Sequence, residues 1–267
     1  MIDAGKFSVL GVLVNAIDYE GAVSRIVTAA RNRAPLSVTA LAVHGVMTGV
    51  QDKTHMYRLN RLDLVLPDGQ PVRWALNIMH HTQLPDRVYG PTLMRKVCER
   101  AAAEQLPIFL YGSTQDVLNR LTENLCRQHP GLQIAGASPS RFRQVSAEEQ
   151  DAINTQIRES GARIAFVGIG CPRQEVWAYE NTASIEMPVL AVGAAFAFHA
   201  GALSQAPTWM QRYGLEWLFR LVIEPRRLWR RYVILNPIYA AMTVLQWAGR
   251  KPATHDLPAP GSPMRFG

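Results

Sequence analysis

Short, almost wholly apolar runs alternate with longer amphipathic stretches along most of the chain, and this order restricts the fold more than any other feature. Candidate strands fall at residues 37–43, 62–66, 108–111, 133–136, 163–167 and 189–192. Between most of them lie stretches with apolar residues three and four apart, at 19–32, 46–60, 91–104, 115–128, 147–160 and 173–182, the spacing of one helix face. A run such as Ile164-Ala165-Phe166-Val167 has no polar side. That is what a strand needs when helices cover both faces of a parallel sheet. The expected fold class is therefore α/β, a Rossmann-like, mostly parallel sheet flanked by helices. Residues 8–17 read as an additional strand or hairpin.

This architecture fixes where a ligand should sit, because open parallel sheets bind beyond the carboxyl ends of their strands. The residues that follow the candidate strands are His44-Gly45, Pro67-Asp68-Gly69, Gly112-Ser113-Thr114, Ser138-Pro139, 168–172 (GIGCP) and 193–196 (GAAF). Their convergence on one rim predicts a single cleft.

Asp68 stands where a carboxylate can project into that cleft and act as a general base, although Asp-Gly after Pro is also ordinary turn chemistry. Gly170-Cys171-Pro172-Arg173-Gln174 joins a buried strand to a helix. Such a helix start can hold phosphate, with Arg173 and Gln174 adding side-chain bonds, or it can be a tight connection carrying a solvated arginine. In Gly112-Ser113-Thr114, either hydroxyl can cap the following helix or meet a phosphate. Arg87, ahead of a helix started by Pro91, can neutralise a diphosphate or pair with a carboxylate. The seven histidines form no zinc pattern, and no Asp-x-Asp element is present to hold a divalent ion against a nucleotide diphosphate. No metal site and no cofactor are assigned, and a metal-independent reaction is expected.

The net charge of +7 calls for an anionic partner, and its distribution decides which kind. Many arginines fall between Arg212 and Arg231, interspersed with Trp, Leu and Ile, a composition suited to a lipid interface and not to nucleic acid. The apolar stretch 233–248 is shorter than the roughly 20 residues that a spanning helix needs, and Pro237 interrupts it. It should lie on a membrane. The three cysteines are far apart and odd in number, and the N-terminus lacks the pattern of a secretion signal, so a cytoplasmic protein on the inner face of the plasma membrane is expected. The expected domains are a catalytic unit at 1–205, a membrane-associating helical appendage at 206–250 and a flexible tail at 251–267. A homo-oligomer is compatible with this plan.

Taken together, residues 170–175 (GCPRQE), 201–207 (GALSQAP), 214–221 (GLEWLFRL) and 224–227 (EPRR) resemble the signature segments of the WecG/TagA/CpsF family of bacterial glycosyltransferases. The resemblance extends from about Ser8 to Tyr239. It implies a Rossmann-like catalytic domain and an inverting, metal-independent transfer of a hexose or N-acetylhexosamine unit from a UDP-sugar donor. The implied acceptor is a polyprenyl-diphosphate-linked sugar, in cell-surface polysaccharide or exopolysaccharide biosynthesis. Asp68 matches the family's proposed catalytic base, Arg87 the arginine of its Arg-Val-x-Gly motif and Gln174 its active-site glutamine. Arg220, Arg227 and Arg230 fall on arginines thought to approach the membrane and acceptor. Nucleotide-sugar binding is expected from His44, Gly69, Thr92, Gly112, Ser113, Gly170, Arg173 and Gly193.

The chain departs from the family pattern at several rim positions. Ala40 and Ala42 stand where many members carry Thr and Asn, Gly-x-Asp-Leu becomes Gly90-Pro91-Thr92-Leu93, and Phe-Asp becomes Phe196-Ala197. These changes bear on the donor sugar more than on the reaction, and His44 or Thr92 is expected to take over polar work. A narrower alternative is a β-glucosyltransferase of the xanthan or acetan type. An alternative of another class is a non-catalytic nucleotide-binding regulator at the membrane surface.

Overall fold

The computed structural model describes residues 1–250 and 257–267, with all their side chains except those of Thr208, Arg227 and Arg231. It opens with a hairpin of β1 (Asp3–Val9) and β2 (Val12–Ile17), followed by α1 (Tyr19–Arg31), β3 (Leu36–Leu41), α2 (Val43–Gln51), α3 (Lys53–Arg61), β4 (Leu64–Pro67) and α4 (Gln70–His80). The middle of the chain forms α5 (Gly90–Ala103), β5 (Ile108–Gly112), α6 (Gln115–Gln128), β6 (Ile134–Ser138), α7 (Ala147–Glu159), β7 (Ile164–Gly168), α8 (Arg173–Ile185), β8 (Pro188–Ala191) and α9 (Ala195–His199). It ends in α10 (Thr208–Arg212), α11 (Glu216–Ile223), α12 (Pro225–Trp229), a π-helical turn (Arg230–Leu235) and α13 (Asn236–Trp247).

Six strands form one parallel sheet in the order β4-β3-β8-β7-β5-β6. Side chains alternate between its two faces, as the pleat requires. Phe109, Tyr111, Ala165, Val167, Val189 and Ala191 join the core beneath α2, α3, α4, α7 and α8, and Ile108, Leu110, Ile164, Phe166 and Leu190 join the core beneath α1, α5, α6 and α9. The expected α/β architecture is the observed one.

The strand expected over 37–43 ends at Leu41, the helix α9 was not expected, and two larger differences stand beside these. The helix expected over 46–60 is two helices, because Asp52 has an extended backbone and its carboxylate accepts the His55 amide at 3.0 Å, capping α3. No element was expected between residues 66 and 91, yet α4 fills part of that gap, with Val72, Ala75 and Leu76 buried and Pro71 in its first turn.

The hairpin is separate from the main sheet. Its turn residues Leu10 and Gly11 have φ of 54° and 91°, the left-handed pair that a two-residue hairpin favours. The Gln246 side chain accepts the Leu10 amide at 2.7 Å and donates to the Ser8 carbonyl at 3.0 Å, which ties α13 to the hairpin tip. At the far end of the chain, residues 265–267 run beside residues 140–145. Gln144 and Phe266 form an antiparallel bridge, and the Ser140 hydroxyl donates to the Gly267 carbonyl at 2.6 Å.

Candidate active site

The carboxyl ends of β3, β4, β5, β7 and β8 open on one cleft of about 520 Å³, which α11 and the π-helical turn close from the side. Of the residues singled out by sequence, Asp68, Arg87, Gln174, His44, Gly69, Ser113, Gly170, Gly193 and Arg220 line it. Thr92, Gly112, Arg173 and Arg230 are not among its lining residues. Thr92 lies in a neighbouring hollow with Arg95 and His199, and it bonds the Tyr19 hydroxyl. Gly112 is a strand end with φ of 120°, where a Cβ would come within 2.7 Å of the Gly168 backbone. Arg173 is half-buried on α8 outside the cleft lining, and Arg230 lies over the Trp229 ring with its guanidinium carbon 5.3 Å from the centroid. The Arg227 side chain lies outside the described residues.

Asp68 follows the last residue of β4, so the sheet itself aims it at the cleft. Its Oδ1 accepts the Gly90 amide at 3.1 Å, one of the unpaired donors at the start of α5. Burial raises its carboxyl to about 6, against the pull of the Arg87 guanidinium. A carboxyl in that range is part-ionised near neutrality and suited to moving a proton.

Arg87 is held from α11. Its Nη2 donates to Glu216 Oε2 at 2.5 Å, and the Tyr89 hydroxyl donates to Glu216 Oε1 at 2.8 Å. The guanidinium also stacks over the Tyr89 ring at 4.3 Å. Burial opposes the arginine's charge, but Glu216 and Asp68 outweigh it and raise its pKa. The Tyr89 hydroxyl is pushed up by burial and by the same carboxylates. Arg220, from the same helix as Glu216, lines the cleft with its guanidinium 5.8 Å from the Phe198 centroid and 3.6 Å from Glu224.

The opposite wall is the β7–α8 connection. Gly170 has φ of 84°, and α8 then begins by delivering Gln174 and Glu175 to the floor. Gln174 Nε2 donates to Glu175 Oε1 at 2.9 Å, and the Thr39 hydroxyl donates to the same oxygen at 3.2 Å. Burial raises the Glu175 carboxyl above the usual range. Ala40 and Ala42 also line the cleft, so this part of its wall is small and apolar.

Sequence reasoning missed Tyr89, Glu175, Glu216, Phe142, Trp217, Tyr232 and Asn236, all of which line the cleft. Glu175 and Glu216 fall inside the matched motifs, and their position there was a signal that could have been used. Phe142 comes from an irregular loop with no pattern around it.

α4 and the C-terminal segment expose Trp74, Ile78, Trp209, Tyr213, Val222, Trp229, Val233, Ile234 and Trp247. Among the described residues no helix is long and apolar enough to cross a membrane.

Two similar proteins carry the name N-acetylglucosaminyldiphosphoundecaprenol N-acetyl-beta-D-mannosaminyltransferase. The one from Bacillus subtilis (strain 168) is 28% identical over 198 residues, covering 74% of each chain. The one from Bacillus spizizenii (strain ATCC 23059 / NRRL B-14472 / W23) is 27% identical over 223 residues, covering 83% of this chain and 84% of its own. The profile described as "Glycosyl transferase WecG/TagA/CpsF family" matches residues 7–253, nearly the span over which the motifs were followed. With this match added to the parallel sheet and its cleft, the chain belongs to the WecG/TagA/CpsF family of glycosyltransferases.

Proposed function

We propose that this glycosyltransferase moves a hexose or N-acetylhexosamine unit from a UDP-sugar to a sugar carried on a polyprenyl diphosphate, with inversion at the anomeric carbon. The observation that carries the reading is Asp68, a carboxyl raised to about 6 in a cleft that also holds Arg87 and Arg220. The similar proteins are named for transfer to a diphosphoundecaprenol-linked sugar, which supports the acceptor class.

In this mechanism Asp68 takes the proton of the acceptor hydroxyl. The oxygen forms its bond to the anomeric carbon as the bond from that carbon to the UDP oxygen breaks, and Asp68 keeps the proton until solvent removes it. Arg87 and Arg220 stabilise the negative charge of the departing diphosphate, in a site partly shielded from water. Gln174 binds the sugar from the β7–α8 side, and Gly170, Gly193 and Ser113 permit close approach of the nucleotide.

Ala40 and Ala42 favour a donor different from the N-acetylmannosamine named for the similar proteins, because they leave fewer polar groups for a sugar to meet. The exposed tryptophans and the C-terminal arginines support a peripheral position on the inner face of the plasma membrane, where a lipid-linked acceptor is available.

The test is a panel of UDP-sugars offered with prenyl-diphosphate-linked N-acetylglucosamine or glucose, read as UDP release. Release that depends on the lipid-linked acceptor is expected for one donor. UDP binding with no release across the panel would instead favour a nucleotide-binding regulator.

A further inference from the structure

Gln174 is 4% exposed, and its side-chain carbonyl oxygen has no hydrogen-bond partner although it belongs to a residue that lines the cleft. A buried acceptor left unsatisfied is costly, so such an atom in a cleft wall needs a reason. The other end of the same amide is fixed. Gln174 Nε2 donates to Glu175 Oε1 at 2.9 Å, and that oxygen also receives the Thr39 hydroxyl at 3.2 Å. The proton that burial favours on this carboxyl has a place on Oε2, which has no partner, so Oε1 is left to accept from both Gln174 and Thr39. The Gln174 amide therefore has one favourable orientation, nitrogen towards Glu175 and oxygen away from it. The oxygen points to Gly193, where a Cβ would come within 2.9 Å of it, so the glycine leaves room that a side chain would fill.

We propose that Glu175 is a positioning residue for the transfer site, holding the Gln174 amide so that its carbonyl oxygen accepts a hydrogen bond from a hydroxyl or acetamido N–H of the donor sugar. The proposal rests on the sugar-nucleotide reading above and adds a specificity rule to it. At the Gln174 contact the sugar must present a donor group, and an analogue that offers only an acceptor there leaves two acceptors facing each other. Thr39, a strand residue under the same carboxylate, belongs to this support.

Two variants separate orientation from bulk. Glu175→Gln keeps an oxygen that can accept from Gln174, whereas Glu175→Leu keeps the approximate volume and removes the acceptor. The direct readout needs no turnover. The side-chain amide protons of Gln174, identified by their loss in Gln174→Ala, are followed by NMR in uniformly ¹⁵N-labelled protein, and one of the two should be protected from solvent exchange. That protection should persist in Glu175→Gln and vanish in Glu175→Leu. Equal exchange of both protons in the unsubstituted protein would overturn the proposal.

The kinetic readout uses the UDP-sugar that supports acceptor-dependent UDP release. Glu175→Leu should raise its KM by about tenfold, the loss of one buried hydrogen bond, while binding of UDP alone changes less than about twofold. Glu175→Gln should stay within about threefold of the unsubstituted protein. Equal loss in both variants, or weakened UDP binding in step with KM, would mean that Glu175 only supports the fold. If no UDP-sugar is turned over, the transferase reading fails on its own terms, and the exchange experiment still decides whether Glu175 orients Gln174.

Discussion

Arg87 Nη2 lies 2.5 Å from Glu216 Oε2, and this contact joins the loop before α5 to the first residue of α11. The cleft wall and α11 thus share one buried ion pair, with the Tyr89 hydroxyl on the other carboxylate oxygen. Removing one member of such a pair strands a charge, while replacing both by apolar groups does not. Glu216→Ala should lower unfolding stability by about 3 kcal/mol. The double variant Arg87→Met with Glu216→Leu should recover much of that loss and still have little activity. Denaturant unfolding of these proteins, with Arg87→Met and Glu216→Leu as single variants, measures the first effect. Additive losses in the double variant would show that the pair is not coupled.

Asp68 gives two predictions with opposite signs. In the proposed role of general base it must be ionised, so kcat/KM should rise with pH to a plateau, with the midpoint near 6 where burial sets its carboxyl. Asp68→Asn should cost about a hundredfold in turnover and abolish this acid limb. Stability runs the other way. A carboxyl raised from 3.8 to about 6 contributes fully below its unfolded value and loses that contribution as pH rises through 6. Asn keeps an acceptor for the Gly90 amide and cannot ionise, so the variant should melt no lower than the unsubstituted protein at pH 8. A lower melting temperature there would mean that the carboxylate stabilises the fold, contrary to the direction given by its burial.

Gly112 tests whether a rim glycine acts on the ligand or on the sheet. Its φ is 120°, and a Cβ at this position would come within 2.7 Å of the Gly168 backbone, so the β5–β7 junction has no room for a side chain. Gly112→Ala should destabilise by about 1–3 kcal/mol or more, read by thermal unfolding. UDP binding to the fraction that remains folded should be little changed. Intact stability with lost UDP binding would place Gly112 among the ligand contacts.

The sheet was legible because its strands are continuous apolar runs and most of its helices carry one apolar face, patterns set by neighbours along the chain. Asp68, Gln174 and Gly170 were legible for a related reason, since parallel topology puts every strand end on one rim. What escaped was tertiary. Glu216 reads as a helix-start carboxylate, and only the fold sets it against Arg87, 129 residues earlier. Glu175 reads as another first-turn acid, but burial among Thr39 and Gln174 makes it a fixed acceptor. Thr92 reads as a rim hydroxyl, yet the first turn of α5 directs it to Tyr19 and away from the cleft. Asp52 alone divides α2 from α3, and a continuous apolar spacing conceals that break.

Arg220 and Arg230, both in the C-terminal segment, have different surroundings, and this difference allows membrane docking to be separated from chemistry. Arg230 is exposed and stacked on Trp229, itself 46% exposed, in a surface that continues through Val233 and Ile234. Arg220 lines the cleft between Glu224 and the Phe198 ring. One basic side chain near an anionic bilayer contributes about 1 kcal/mol, so Arg230→Glu, which removes one positive charge and adds a negative one, should weaken binding to anionic vesicles by about tenfold or more at low salt. Trp229→Ser should weaken it at low and moderate salt alike, because the inserted ring contributes apolar area and no charge. Both variants should keep their turnover on a short, water-soluble acceptor. Arg220→Ala should do the reverse: vesicle binding close to that of the unsubstituted protein, with turnover lowered on short and long acceptors together. Cosedimentation and UDP release on the same preparations give both readings. Unchanged vesicle binding in Arg230→Glu and Trp229→Ser would mean that this face is merely solvated, and the membrane position proposed for the chain would fall.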